Sequence, residues 1–493
     1  MKQDIRSLSP EALWAYFYDL TRIPRPSGHE DAVRQYVLDF GKRLGLDSSM
    51  DAVGNVLIRK AATAGMDNRK GVILQSHLDM VPQKNSDKPH DFLHDPIDAC
   101  VDGEWVTADG TSLGADNGIG AAAALAILAA TDIEHGPLEA LFTATEETGL
   151  DGARGLAPDL LKGHILLNLD SEDEGELYIG CAGGEDIAVQ LPYRLHELPD
   201  GCAAFRLAVS GLRGGHSGID INLGRANAIR LFWRVYEKIM LQDCVRLAQM
   251  SGGDKRNAIP REASGIFVMP ENVRPAVEHI ISKELAVIKE EFADTDPDIT
   301  ITLEQTAMPI AVVKNGQVMK IAAAAQVFPH GVMQMSRTVP GLVETSSNLA
   351  VCKLTPEPGT FRGRAEMCFL IRSMDDAKRN ALEGDIIRLA VLAKAKTVQL
   401  SGDYPGWKPD ANSEILKIAE TVYENMFKKQ PEIKAIHAGL ECGIISGKYP
   451  DMDMLSFGPT IRHPHSPDEK VNIATVARFW EFLLAMLKHI PLK

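Results

Sequence analysis

The residues of this chain that could do chemistry are histidines and carboxylates placed at the ends of apolar runs. Val72-Ile73-Leu74 leads into His77-Leu78-Asp79, and Leu141-Phe142-Thr143-Ala144 leads into Thr145-Glu146-Glu147. Ile165-Leu166-Leu167-Asn168-Leu169 leads into Asp170, while Gly114-Ala115-Asp116-Asn117-Gly118 precedes an alanine-rich stretch. Imidazole and carboxylate without thiolate form a donor set for zinc, manganese or cobalt in a hydrolytic role. Two divalent ions bring four positive charges, and Asp116, Glu147 and Asp170 return three negative ones, which leaves room for one bound hydroxide. A metal pair roughly 3.5–4 Å apart acidifies a bridging water and polarises a carbonyl. A free carboxylate is then needed to take the water's proton and pass it to a leaving amine. The adjacent Glu146 and Glu147 can divide the two jobs.

Taken singly, each residue has a plainer reading. An isolated His77 is more often a satisfied structural histidine than a ligand. Asp116 in a glycine-rich turn could cap the following helix. Glu146-Glu147 could be an exposed turn, and Asp170 could open the acidic loop Ser171–Glu176. What sets the metal reading apart is a shared address. In open α/β sheets, sites form at the carboxyl ends of strands, and three strand-like runs deliver these side chains there.

The elements that must position them alternate. Ser9-Pro10 predicts a helix start, with proline at the first helical position and the helix running to about Leu20. A second helix is expected over about Glu30–Leu44 and a long one over Gly118–Ala130. Strands are expected at Asn55–Arg59, Gly71–Gln75, Leu138–Ala144 and His164–Leu169. Such alternation predicts an α/β layer around a mixed, largely parallel sheet. Near Glu185 the pattern changes. Strands at Cys202–Ser210, Ala263–Met269, Asp298–Leu303 and Ala365–Ser373 mix with helices at about Ala226–Gln242, Asn272–Glu291, Gly316–Val327 and Met374–Ala395, an α+β pattern. After Pro405-Gly406-Trp407-Lys408-Pro409 the alternation resumes and ends in a helix over Val471–Lys488. The expectation is a discontinuous first domain, 1–185 plus 398–493, with an α+β domain inserted over 186–397.

Composition narrows the class. The 493 residues are 45% hydrophobic and 24% charged, which supplies ample core but exceeds what one compact core accommodates. A formal net charge of -15 argues against nucleic acid or an anionic membrane surface as the main partner. The 7 cysteines are scattered without a CxxC pair, which fits a reducing compartment rather than a disulfide framework. Asp4, Glu11 and Asp19 interrupt any apolar run at the N-terminus, so no signal peptide is read there. The longest apolar stretch, about Ile119 to Ala130, falls short of the roughly 20 residues that span a membrane. A soluble cytoplasmic protein is expected.

Ser76-His77-Leu78-Asp79, Gly114-Ala115-Asp116-Asn117-Gly118, Thr145-Glu146-Glu147-Thr148-Gly149 and Asn168-Leu169-Asp170 resemble the motifs of the aminoacylase/carboxypeptidase-like family of co-catalytic zinc peptidases. The resemblance covers nearly the whole chain. Gly180-Cys181-Ala182-Gly183-Gly184, Gly458-Pro459-Thr460 and His463-Pro464-His465-Ser466-Pro467-Asp468-Glu469 look like its Xaa-His dipeptidase branch. The resemblance implies two divalent ions per chain, zinc first and cobalt or manganese as alternatives. Asp116 would bridge them, with His77 and Asp170 completing one site and Glu147 and His465 the other. Glu146 would be the general base, and Asp79 would orient His77 as a hydrogen-bonded carboxylate behind it. The family pattern of histidine, small residue, proline and acidic pair selects His465 over His463.

Gly214-Gly215-His216-Ser217-Gly218 resembles the family's lid motif, whose histidine would stabilise the tetrahedral oxyanion. Arg372 and Asn257 resemble substrate-holding lid residues, the guanidinium suiting a free peptide carboxylate. Glu441 looks like a substrate-side residue, for the free amine. The function implied is hydrolysis of short unblocked peptides, of Xaa-His type and others, by a lid-linked homodimer. The alternative within hydrolysis is a deacylase or exopeptidase acting on N-acyl amino acids or longer peptides with the same metals. A non-catalytic scaffold would have lost Glu146 or a metal histidine, and all are present. A nucleotide-binding reading fails because Gly114–Gly120 lacks a Walker lysine and the fingerprint spacing.

Overall fold

The computed structural model describes residues 4–493, which form two compact units. The first comprises the described residues up to Cys181, Trp407–Ala435 and Leu440–Lys493; the second comprises Ala182–Gly406 with Ile436–Gly439.

The first unit is built on an eight-stranded sheet. Its order is Asp47–Met50, Val56–Lys60, Leu138–Thr143, Val72–His77, Ile165–Asn168, Asp453–Ser456, Glu176–Cys181 and Glu432–Ile436. Leu138–Thr143, Val72–His77, Ile165–Asn168 and Asp453–Ser456 run parallel, and antiparallel pairs flank them, so the sheet is mixed. Val72–His77 and Leu138–Thr143 are buried at every position, as strands covered on both faces must be. Helix Ala115–Ala129 packs against Val72–His77 and against helix Glu11–Thr21. Its alanines 121 to 124 are fully buried, because a helix apolar all round belongs inside and small side chains let it approach the sheet closely.

The second unit carries a ten-stranded sheet whose pairings are antiparallel. Helices Ala228–Ile239, Arg274–Glu291, Asn315–Val327 and Asp376–Leu392 accompany it. Ala228–Ile239 buries Leu231, Phe232, Val235, Tyr236 and Ile239 at helical spacing and keeps its basic residues outward, the pattern of a helix lying on a sheet.

Several expected bounds shift. Pro10 is extended and precedes the helix, which begins at Glu11, so proline takes the cap position and Ser9 lies outside the helix. The strand expected to stop at Gln75 continues to His77. The helix expected from Gly118 begins at Ala115, although Asp116 and Asn117 inside it keep non-helical dihedrals. The sequence reading leaves out two 14-residue strands, Gly183–His196 and Val343–Pro356, because glycine, proline, serine and threonine interrupt their apolar alternation. Their neighbours in the sheet supply the burial that their own pattern does not announce.

Candidate metal centre

Parallel register brings the strand ends level. His77 stands opposite Thr143, and Gln75 stands opposite Asn168. His77 ends its strand, and Asp170, Glu146 and Glu147 follow theirs by two, three and four residues, so all four emerge at one edge. Thr145, at φ 52, turns the chain from strand into the short helix Glu146–Gly149. Asp116 enters from the start of Ala115–Ala129, and His465 enters from the loop between Ile461–Arg462 and Lys470–Asn472.

Asp116 stands between two groups of donors. Its Oδ1 is 3.0 Å from His77 Nε2, which is 3.4 Å from Asp170 Oδ1. Its Oδ2 is 3.2 Å from His465 Nε2, which is 2.9 Å from Glu147 Oε2. His77–Asp116–Asp170 and Asp116–Glu147–His465 each bring one donor atom per residue within 4.8 Å of the others. A third such group is His77–Glu146–Glu147. His463 falls in none of these groups among the described residues.

Asp79 is fully buried and ties two of the strand ends together. Its Oδ1 lies 3.4 Å from His77 Nδ1 and accepts the Glu146 N–H at 2.9 Å; its Oδ2 accepts the Glu147 N–H at 3.2 Å and the Ser27 hydroxyl at 2.8 Å. Asn117 Nδ2 donates to Asp170 Oδ1 and, at 2.8 Å, to the Leu169 carbonyl. Glu441 opens helix Glu441–Lys448 and is 1% exposed. Its Oε2 accepts from Gln75 Nε2 and Thr143 Oγ1, each at 2.6 Å, while Oε1 has no hydrogen-bond partner. Gln75 in turn takes Asn168 Nδ2, and Asn168 Oδ1 takes Ser456 Oγ, so a polar chain runs across the parallel strands. Glu441 is therefore anchored to the strands on one oxygen and buried without a partner on the other.

The donor set fits divalent cations by three observations. It is imidazole and carboxylate with no thiolate. Glu147 Oε1 is buried without a partner. Carboxylates also crowd both histidines, which favours positive charge there. Burial alone would push His77 down, but Asp170, Asp116 and Asp79 hold it well above the usual imidazole range. His465 is pushed up to about 11 by its hydrogen bonds to Asp116 and Glu147. Burial pushes Asp170 up to about 6 and Glu146 well above the usual carboxylate range, with neighbouring carboxylates acting in the same direction and His77 against it. A crowded set of carboxylates, short of positive charge, is the electrostatic signature of a cation site.

The second unit gathers His216 and Arg372, with His437 beside them. His216 ends the two-residue strand Gly215–His216, which pairs with Ala258–Ile259. Its Nδ1 accepts the Gly218 and Ile219 N–H groups, each at 3.2 Å, so the proton of the neutral ring sits on Nε2. Burial, then the charge of Arg372, lowers its pKa. Arg372 is 5% exposed; Nη1 donates to the Tyr404 hydroxyl at 2.9 Å and Nε has no partner. Asn257 is exposed, and its carbonyl accepts the Ser217 N–H at 2.8 Å. His437 is buried with Nε2 2.7 Å from Ser346 Oγ. The sequence reading passes over it, since a histidine just before Ala438-Gly439 carries no local mark of burial beside an arginine.

The chain matches the family described as Peptidase family M20/M25/M40 over residues 73–489. It is 44% identical over 497 residues to the cytosol non-specific dipeptidase of Escherichia coli (strain K12), covering 99% of this chain and 100% of that protein. The crystal structure of aminoacylhistidine dipeptidase from Vibrio alginolyticus is similar with a TM-score of 0.92 and 47% identity, over 100% of this chain and 99% of that one. The aminopeptidase PepT structure from Bacillus cereus, at 16% identity and a TM-score of 0.62 over 98% of this chain and 99% of that one, shares the fold.

Proposed function

The chain belongs to peptidase family M20/M25/M40, and from that premise we propose that it is a metal-dependent dipeptidase hydrolysing short unblocked peptides, Xaa-His among them. The observation that carries this is Asp116, which offers one carboxylate oxygen to each of two donor groups. The names and extent of the two close relatives support a dipeptidase over a deacylase.

His77, Asp116 and Asp170 would hold one divalent ion, and Asp116, Glu147 and His465 a second, zinc being favoured with cobalt or manganese possible. The ions, when bound, supply Lewis acidity for the scissile carbonyl and a more acidic water. The chain's own residues do the rest. Glu146 takes the water's proton and returns it to the leaving amine. Asp79 keeps the His77 ring turned and holds the Glu146-Glu147 backbone through two N–H bonds, so ligand and base share one support. His216, neutral and protonated on Nε2, donates to the developing oxyanion. Arg372 and Asn257 hold the peptide carboxylate, and the unpartnered oxygen of Glu441 receives the free amine.

The second unit is read as a lid and dimerisation domain, and the protein as a homodimer. A cytoplasmic location is supported by the name of the Escherichia coli relative. Among the described residues no helix is long and apolar enough to cross a membrane.

The test is metal content measured alongside hydrolysis of a panel holding several dipeptides, one ending in histidine, and an N-acetyl amino acid. Two metals per chain with dipeptide cleavage, lost on chelation and restored by zinc or manganese, is the expected result. Cleavage of the N-acyl compound alone would make the protein a deacylase, and no bound metal would remove the site.

A further inference from the structure

Two buried side chains of opposite charge bind the ligand-bearing segments to one another without belonging to either donor group. Glu469 is 2% exposed, and its carboxylate accepts successive backbone N–H groups. Oε2 takes Leu113 at 2.8 Å and Gly114 at 2.9 Å; Oε1 takes Ala115 at 2.8 Å and Asp116 at 3.2 Å. Glu469 follows His465 in the same loop, where its own N–H donates to the Ser466 carbonyl at 3.1 Å. One carboxylate thus joins the loop of His465 to the turn of Asp116.

Arg25 is also 2% exposed and works from the other side. Its Nη1 donates to the carbonyls of Leu78 at 2.9 Å and Asp79 at 3.1 Å, and its Nη2 donates to Gly114 at 2.5 Å. The guanidinium joins the end of the His77 strand to the same turn. Gly114 is where the two meet, giving its N–H to Glu469 and its carbonyl to Arg25. It has φ +70, and a Cβ there would lie 2.6 Å from Arg25 Nη2 and 2.9 Å from Met80 Sδ, so the position requires glycine.

Burying a charge is a poor way to gain stability, since desolvation offsets much of what its contacts return. What a buried charge does well is fix polar backbone at defined distances. Here that backbone carries three ligands from segments far apart in the chain. We propose that Arg25 and Glu469 are positioning residues that set the placement of His77, Asp116 and His465 for divalent cations, so that metal affinity depends on two charges that touch no metal. The inference rests on the reading of the site as a metal centre.

Zinc is titrated into metal-free wild type, Glu469→Gln and Arg25→Lys against a chromophoric competitor. The visible absorption of the cobalt-loaded forms and the Tm of the metal-free forms are recorded alongside. Glu469→Gln turns an amide NH2 toward N–H donors and should weaken zinc binding roughly 10- to 100-fold and shift the cobalt bands. Arg25→Lys keeps the charge with fewer directed donors and should fall between that variant and wild type. If Glu469→Gln does not fold, Glu469→Asp, with its charge intact but withdrawn from the turn, takes its place and should show the same loss. Wild-type affinity and cobalt spectrum in the variants, with only Tm lowered, would overturn the proposal and leave the pair a staple of the fold. A wild-type chain that binds no divalent ion would instead overturn the metal-centre reading, and this inference with it.

Discussion

At the scale of single residues, two side chains with different duties should respond differently to removal. In the proposed site, Glu146 is the carboxylate left over if Asp116, Glu147 and Asp170 serve as the ligands. Glu146→Gln should therefore keep metal content at the wild-type level while kcat falls by about 10²–10⁴. Near-normal turnover in that variant would refute the base assignment. His216→Ala should lower kcat by about 10²–10³, the worth of one oxyanion donor, again without metal loss. Zinc loss there would mean that the histidine is a ligand. Residue identities at the strand ends were readable because strand and following side chain are neighbours in sequence. Arg25 was not readable, since an arginine before Pro26 has no local mark of its contacts with carbonyls at residues 78, 79 and 114.

At the scale of elements, the site depends on how closely helix Ala115–Ala129 approaches the end of strand Ile165–Asn168. Gly120 is the point of contact: a Cβ there would lie 2.6 Å from the Leu169 carbonyl and collide with the Asn117 amide, which itself holds Asp170. Gly120→Ala should cost about 1–3 kcal/mol of stability, as overpacking does, and should reduce metal content as well. Thermal melts and metal analysis on the same preparation check both effects. Stability loss with full metal occupancy would show that the helix can retreat without moving Asp170. The helix itself was legible from its run of alanine and leucine. Its true start was not, because Asp116 and Asn117 keep non-helical dihedrals within it.

At the scale of the whole molecule, buried histidine makes stability depend on pH. His437 is pushed down to about 3, by burial first and then by the charge of Arg372. The folded chain keeps it neutral in mild acid, whereas the unfolded chain protonates it near its ordinary value of about 6.5. Its contribution is thus intact above about pH 6.5 and is lost as pH falls toward 3, at up to about 1.4 kcal/mol per pH unit. The denaturation midpoint of metal-free wild type should fall toward that of His437→Gln between pH 7 and pH 4, and a gap independent of pH would refute this. Sequence by itself determined the chemistry on offer, the strands that carry it and the change of pattern near Glu185, because these follow from residue type and local periodicity. The motif pattern pointed to His465 over His463, but only the tertiary structure decided that His465 meets Asp116 and Glu147, and that Glu441 is anchored to Gln75 and Thr143. It alone showed that Glu469 and Arg25 grip the Asp116 turn from either side. Those facts are distances between segments remote in the chain. They are set by sheet register and by the need of buried polar groups for partners, neither of which is written in any one stretch of sequence.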